Sequence, residues 1–156
     1  MTDTNNYAYA AMMIRKPVEQ VFMAFTNPEI TTKFWFTKSS GILEKGRTVD
    51  WTWEMHNHSV PVHVLKMVTN ELLIIEWGEE DNKQLVEWEF KALDDYRTFV
   101  SITNTGFKGS TDDILSGVRD STGGFSWVLA GLKAYLEHGI ELNLVADRYP
   151  KELGNS

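Results

Sequence analysis

The sequence predicts an α+β fold, in which a curved antiparallel β-sheet of about six or seven strands packs against one long C-terminal helix. Three observations lead to this prediction. The central part of the chain alternates apolar and polar residues with a period of two, which is typical of strands. Short connections rich in Gly, Asn, Asp and Glu join these runs and favour antiparallel hairpins. Residues 120–144 then return to a helical period.

A strand and two short helices are predicted before the main part of the sheet. The run "YAYAAMMI" (residues 7–14) suits a strand. The run "KPVEQVFMAFT" (16–26) predicts a helix, because Pro17 fits a first helical turn and the apolar residues recur at helical spacing. Pro28 breaks this helix, and "EITTKFWF" (29–36) predicts a second one that ends in an aromatic cluster.

Five further strands are predicted in the middle of the chain. They are "TVDWTWEM" (48–55), "VPVHVLKMV" (60–68), "LLIIEW" (72–77), "QLVEWEFKA" (84–92) and "TFVSITNT" (98–105). In the first and fourth of these, Trp and Phe side chains occupy one face and charged side chains the other. Such a sheet exposes one face to water and must bury the other.

The C-terminal third predicts the element that covers the buried face. "STDDILSGV" (110–118) predicts a separate helical turn, and residues 120–144 predict a long helix with an apolar stripe. About the last ten residues are expected to form a tail. A curved sheet over a single helix leaves a space between them. Large rings can line such a space or simply fill the core, and the sequence leaves both interpretations open.

Composition excludes several classes of function. The chain has 156 residues and a formal net charge of -7, without a basic run, so nucleic acid and anionic membranes are not expected as partners. It has no cysteine, which excludes disulfides and thiolate metal sites. The start of the sequence lacks the pattern of a signal peptide, and the longest apolar run, "LLII" (72–75), is too short to span a membrane. We expect one domain over residues 1–156 in the cytoplasm.

Three of the four histidines lie in "HNHSVPVH" (residues 56–63). His56 and His58 fall in a predicted turn, whereas His63 lies within the next strand. Because a strand rises about 3.3 Å per residue, the three side chains are not expected to converge as zinc ligands do. We predict no metal site and no cofactor. Pro61 suggests an edge strand or a bulge, and His63 matters for function only if it faces inward.

No catalytic constellation is recognised in the sequence. It has no Cys and no G-x-S-x-G motif. The pair Gly123–Gly124 lacks the order of a phosphate-binding loop, and close packing of the helix start on the sheet is the preferred explanation. Glu76 lies on a strand that is apolar on both faces, so its orientation stays open. A buried Glu there would be a candidate base.

Four motifs in order resemble a known family. They are "KPVEQVFMAFTNPEITTKFW" (16–35), "VLKMVTNELLIIEW" (64–77), "VSITNTGF" (100–107) and "GGFSWVLAGLKAYLEHG" (123–139). With them the chain resembles the activator of heat-shock-protein-90 ATPase homologue-like family, in the START/polyketide-cyclase superfamily of helix-grip folds. The resemblance implies an apolar cavity for lipids, polyketides or similar molecules. Some members of the superfamily are cyclases, and the eukaryotic founder of the family stimulates a chaperone ATPase.

The sequence departs from the family pattern at two positions. Asn104 stands where the family usually has a histidine, which argues against an acid/base role at that position. Phe125 stands where the family usually has a tryptophan, and Trp127 follows two residues later. The founder also carries a separate chaperone-binding domain, for which a chain of this length is expected to leave no room.

We therefore expect a START-like, helix-grip protein that binds a small hydrophobic ligand, lipid-like or aromatic and polyketide-like, between the sheet and the C-terminal helix. The expected binding residues are Trp35, Trp51, Trp53, His63, Trp77, Trp88, Phe90, Asn104, Phe125 and Leu129. A chaperone co-factor or protein-interaction module is the alternative, with a chaperone as partner, and a cyclase- or hydrolase-like enzyme is a third hypothesis. The protein is expected to be a monomer or a homodimer.

Overall fold

The sheet has seven antiparallel strands in the order β1–β7–β6–β5–β4–β3–β2 in the computed structural model, which describes residues 6–154. The strands are β1 (Ala8–Ile14), β2 (Lys38–Ser39), β3 (Thr48–Trp53), β4 (His58–Val68), β5 (Leu72–Trp77), β6 (Gln84–Asp94) and β7 (Arg97–Thr105). Strands β3 to β7 form a meander, and β1 adds to its far edge beside β7. The predicted α+β helix-grip architecture is confirmed. The short strand β2 was not predicted.

Four α-helices accompany the sheet in the described part of the chain: α1 (Val18–Thr26), α2 (Pro28–Thr31), α3 (Thr111–His138) and α4 (Leu144–Arg148). The prediction of helix through residue 36 is wrong, because α2 has only four residues. The buried Thr31 hydroxyl shares its one donor between the carbonyl oxygens of Ala24 and Asn27, both earlier in the chain. The chain then leaves the helix and turns its next three aromatic side chains into the core.

Helix α3 is one continuous helix of 28 residues, which corrects the prediction of a separate turn followed by a helix over residues 120–144. Its start is fixed by a capping box, in which the Ser110 hydroxyl accepts from the Asp113 N–H and the Asp113 carboxylate accepts from the Ser110 N–H. Its end is fixed by Gly139, whose φ of 66° is left-handed. The glycines inside the helix do not interrupt it.

The connection between β3 and β4 also differs from the prediction. Strand β3 ends at Trp53, and Glu54–His56 form a 3₁₀ turn rather than more strand. Asn57 then adopts a left-handed conformation with φ 48°, so β4 begins at His58. Pro61 lies neither on an edge strand nor at the bulge of β4, which falls between Val64 and Lys66. Its neighbour on the β5 side is Gly78, which follows the last residue of β5. The N–H that proline lacks therefore leaves no carbonyl group of β5 without a hydrogen-bond donor.

The inner face of the sheet, α1 and α3 bury an aromatic core. Trp35 lies at its centre, with ring centroids 5.0 Å from Trp51 and 5.7 Å from Phe125. Phe36 stacks on Trp51 at 4.5 Å and an interplanar angle of 17°. Such pairs contribute about 0.5–1.5 kcal/mol each beyond the burial of their area. Helix α3 adds only the residues of its second half, from Phe125 onward, to this core.

The free edge of β1 is covered by side chains of α3. Lys133 donates from Nζ to the Met13 carbonyl oxygen at 3.0 Å, and the Arg15 N–H donates to Glu137 Oε2 at 2.8 Å. Lys133 and Glu137 are themselves paired at 2.7 Å. These bonds occupy edge groups that could otherwise pair with another strand, and they fix α3 along β1. No helix within residues 6–154 is long and apolar enough to cross a membrane.

Candidate functional site

A cleft opens between the first half of α3 and the ends of β5 and β6. It consists of two adjoining spaces of about 520 Å³ and about 700 Å³. The two spaces share five lining residues: His58, Trp77, Gln84, Val145 and Tyr149. The helix is not yet packed into the core over this stretch, because its buried residues begin at Phe125. The space predicted between sheet and helix therefore lies at one end of their interface.

One wall of the cleft is aromatic. Trp77, the last residue of β5, stacks on Phe125 of α3 with ring centroids 5.9 Å apart and an interplanar angle of 27°. Trp35 meets both rings edge-on, at 6.1 Å from Trp77 and 5.7 Å from Phe125. Trp77 is only half-buried, whereas Trp35 and Phe125 are 7% and 5% exposed. The closed core thus ends at the cleft in an aromatic wall, of which Trp77 is the most exposed ring.

The structure divides the residues expected to bind a ligand into three groups. Trp35, Trp77, Asn104 and Phe125 line the smaller space, and Trp53 lines the larger one. Four others lie in the closed core and do not line the cleft: Trp51, Trp88, Phe90 and Leu129. They are at most 5% exposed. His63 lies on the opposite face of the sheet, so it does not meet the condition of facing inward and is not part of the cleft.

The interior around Trp88 is closed and tightly occupied. Trp88 is fully buried, and the rings of Phe25, Trp35 and Phe125 lie 5.7, 6.1 and 6.3 Å from it. Its Nε1 is the one buried side-chain polar atom without a hydrogen-bond partner within residues 6–154. Leaving such a donor unpaired costs about 1–3 kcal/mol. Burial of the surrounding rings offsets that cost.

Asn104 lies at the closed end of the cleft and ties three elements together. It is 1% exposed on β7, and its Nδ2 donates to the Leu85 carbonyl oxygen of β6 at 2.9 Å. Its Oδ1 accepts a hydrogen bond of 2.8 Å from the Ser121 hydroxyl of α3. The amide therefore holds the first half of α3 against the sheet. One N–H of Nδ2 remains free of these bonds.

The histidines are arranged differently from the prediction. His56 is not a solvated turn residue, because its Nε2 lies 3.3 Å from the Val145 carbonyl oxygen and its ring meets Tyr149 at 5.6 Å. His58 lines the cleft beside Trp53. His63 instead bonds Thr48 Oγ1 through Nδ1 at 2.7 Å on the outer face. In the described part of the chain, no three His, Asp or Glu side chains are placed to hold a metal ion.

Glu76, the candidate base of the sequence analysis, and Glu87 both lie on the outer face of the sheet. Glu76 pairs with His63 in register and approaches Lys83 Nζ at 3.9 Å, so it faces away from the core. Burial raises the pKa of Glu87, and the neighbouring Glu89 carboxyl raises it further. Glu87 lies on the same outer face. The arrangement brings neither glutamate to the cleft.

Sequence reasoning missed the C-terminal wall of the cleft. The chain after α3 folds back as α4 and as a short 3₁₀ turn, Lys151–Leu153, which lies where the tail of about ten residues was expected. The Arg148 guanidinium lies over the rings of Trp127 and Tyr149, at 5.5 and 4.6 Å. The apolar and aromatic residues of "LVADRYP" (144–150) were the available signal that this segment packs against something.

Close packing of α3 on the sheet does not explain Gly123 and Gly124, contrary to the prediction. A Cβ on Gly123 would meet Trp127 at no less than 3.9 Å, which is an ordinary contact. A Cβ on Gly124 would meet nothing within 4 Å, and Gly124 lines the cleft. Close approaches of α3 occur instead at Gly131, where a Cβ would lie 3.2 Å from Phe34 Cβ, and at Gly117, where it would lie 2.7 Å from Phe107 Cδ1. Gly124 therefore leaves space in the cleft.

Comparisons with solved structures show the same fold. Protein SSP2350 from Staphylococcus saprophyticus is 27% identical, with a TM-score of 0.74, and the match covers 87% of this chain and 95% of that one. DynU16, a putative protein in the dynemicin biosynthetic locus, is 16% identical with a TM-score of 0.76, over 87% of this chain and 49% of that one. The Aha1 dimer from Colwellia psychrerythraea is 18% identical with a TM-score of 0.71, over 85% of this chain and 97% of that one.

Sequence comparison identifies the family. No curated protein sequence matches the chain. The family described as activator of Hsp90 ATPase homolog 1-like protein matches residues 15–137, which is most of the chain. The matched range contains the four motifs that carry the resemblance, except for the last two residues of the fourth motif, 138 and 139. The match begins directly after β1, includes the whole meander and reaches the penultimate residue of α3. The chain belongs to the activator of Hsp90 ATPase homolog 1-like family.

Proposed function

We propose that the protein binds a small hydrophobic molecule, aromatic or lipid-like, in the cleft beside α3. The observation that carries this proposal is the stacked pair Trp77–Phe125, both members of which line a space of about 520 Å³. Spaces of this size with aromatic walls and a few polar groups are typical of small-molecule sites. DynU16, which shares the fold, is a putative protein in the dynemicin biosynthetic locus.

Binding would gain its free energy mainly from burying ligand surface against the rings. Apolar burial contributes about 25 cal/mol per Å² before the costs of association are subtracted. Polar groups at the closed end, from Asn104 and Ser121, would orient the ligand, since one Asn104 N–H is free. Trp51, Trp88, Phe90 and Leu129 would support the wall from behind rather than touch the ligand.

A screen of aromatic polyketides, flavonoids and fatty acids tests the proposal, with tryptophan fluorescence and thermal shift as readouts. We expect at least one class to quench or shift the emission and to raise the melting temperature, because a ligand that binds only the folded protein stabilises it. If no compound in these classes does either at concentrations up to its solubility, the proposal fails.

A matched pair of variants locates the site. In Gly124→Leu the new side chain enters the cleft without removing any existing contact, since no atom lies within 4 Å of the place that its Cβ would occupy. Ser126→Leu adds the same side chain to the exposed face of the same helix. We expect Gly124→Leu to weaken binding of a hit at least about tenfold and Ser126→Leu to leave it unchanged. Equal affinities for the two variants would place the ligand elsewhere.

A chaperone co-factor is the second candidate, and the family's description favours it. A small apolar patch on the outer face, formed by β4 and β5, offers a surface for it: Leu65, Val68, Leu72 and Ile74. Leu65, at the bulge of β4, is 45% exposed. Mixing with purified Hsp90 tests this candidate. An increase in ATPase rate that is lost in Leu65→Ser would support it, and an unchanged rate would count against it.

A further inference from the structure

Arg148 brings a positive charge to a cleft whose walls are otherwise mainly aromatic. Its guanidinium lines the smaller space and lies over the rings of Trp127 and Tyr149. A cation–π contact of this kind positions the group but uses none of its N–H donors. Arg148 takes part in no ion pair with any carboxylate within residues 6–154. As far as residues 6–154 are concerned, the donors of the fork are therefore available to an anionic group.

The position of Arg148 relative to the aromatic wall decides which part of a bound ligand its guanidinium could contact. Trp127 and Phe125 are two residues apart on α3, and both line the same space. A planar ring laid against Trp77, the more exposed member of the pair, would share this space with the guanidinium, which lies over Trp127. A carboxylate accepts two parallel hydrogen bonds from an Arg fork, which fixes orientation as well as charge.

The other groups around this space do not supply a second cation of fixed charge. Gln84, Asn104 and Ser121 are neutral, and His58 is exposed at the boundary between the two spaces. Asp120 is the one carboxylate that lines the smaller space within residues 6–154, and it forms no ion pair with Arg148 within 4.0 Å. It would repel an anionic ligand weakly, because it is exposed to solvent.

We propose that the cleft selects planar aromatic molecules that carry a carboxylate, with the ring on Trp77 and Phe125 and the carboxylate on Arg148. This inference rests on the proposed function and adds the class of ligand. Since Arg148 is itself exposed, the gain from its charge is modest. We expect an aromatic acid to bind about fivefold more tightly than its uncharged amide at low ionic strength, and the difference to shrink as salt is added.

Three probes with the same ring system test the inference: 2-naphthoic acid, 2-naphthamide and 2-naphthylmethylamine. Their dissociation constants are measured by calorimetry at pH 7 and low salt, where the first is an anion and the third a cation. We expect the acid to bind most tightly and the amine most weakly. An acid that binds no better than the amide would overturn the inference while leaving the proposed function intact. Absence of binding by all three, when the screen has given a hit, would likewise overturn the inference alone, whereas a screen without any hit would overturn the proposed function and the inference with it.

Variants assign the preference to Arg148. Arg148→Gln should bring the affinities of acid and amide to within about twofold of each other. Arg97→Gln removes the same charge from the β6–β7 hairpin, outside the cleft, and should keep the preference. Asp120→Asn should strengthen binding of the acid. A preference for the acid that survives in Arg148→Gln, or disappears equally in Arg97→Gln, would refute the assignment. Melting temperatures of the variants show whether each one is folded.

Discussion

Replacing Glu137 by Gln tests how α3 is held on the edge of the sheet. The Glu137 side chain is 8% exposed, and its Oε2 accepts from the Arg15 N–H at 2.8 Å and from Lys133 Nζ at 2.7 Å. Hydrogen bonds to a charged group contribute about 1.5–3 kcal/mol, and neutral ones about 1 kcal/mol. Gln keeps an acceptor of the same shape but loses the charge. We therefore expect Glu137→Gln to lower the free energy of unfolding by about 2 kcal/mol.

The pH dependence of this effect follows from the pKa of Glu137. Burial acts to raise that pKa, but the bond from the Arg15 N–H and the contact with the Lys133 ammonium outweigh burial, so the pKa lies below its ordinary value. A carboxylate with a lowered pKa stabilises the folded state above its unfolded pKa of about 4.3 and loses that contribution as pH falls through its folded pKa. The gap between wild type and Glu137→Gln should therefore be full at pH 7 and shrink below about pH 4.3.

Urea unfolding at pH 7 and at several values between about 5 and 3 measures both effects. For a chain of this size, about 2 kcal/mol corresponds to a drop in Tm of about 4–8 °C. Glu141→Gln removes the same charge from an exposed position just beyond α3 and serves as the control, with little change expected. Equal stability of Glu137→Gln and wild type at pH 7 would refute the reasoning. So would a gap that stays constant as the pH falls to about 3.

Two further predictions concern the seating of α3. Gly124→Ala should raise the free energy of unfolding by about 1 kcal/mol, because Ala favours helix and its Cβ would meet no atom within 4 Å. Gly131→Ala should be less stable than Gly124→Ala by about 1–2 kcal/mol, because its Cβ would press on Phe34. Thermal unfolding of the two variants compares them, and the reverse order would show that the helix does not approach Phe34 as described. Asn104→Ala and Ser121→Ala should each destabilise, with a coupling of about 0.5–1.5 kcal/mol in a double-mutant cycle. Strict additivity would show that their hydrogen bond contributes nothing.

Most of the fold was predictable because periodicity reports directly on which face a residue occupies. Strand β5 was placed at its observed bounds, since a run of apolar residues closed by Gly78 has few other interpretations. The division of α3 failed for the opposite reason. Gly117 suggests a break when only local sequence is considered, but the capping box at Ser110 and the packing of the second half keep one helix intact. Tertiary contacts decided what local propensity could not.

The site was less predictable because alternation places a ring on the inner face but does not say what meets it there. Trp51 and Trp77 share that face, yet Phe36 covers Trp51 while Trp77 at the strand end stays half-buried. No spacing rule places Phe36 on Trp51, since the two come from different segments. Arg148 was missed for the same reason, because its position depends on how α4 folds back over Trp127.

The indole N–H signals of the six tryptophans test the central claim most directly. Each gives one cross-peak in a ¹⁵N-resolved NMR spectrum, assigned by single Trp→Phe variants. On titration with a ligand found in the screen, Trp77 and Trp127, which line the cleft, should shift most. Trp51 and Trp88, closed within the core, should shift least. The largest shifts at Trp51 and Trp88, with Trp77 and Trp127 unmoved, would contradict the account, because the ligand would then enter the core and not the cleft.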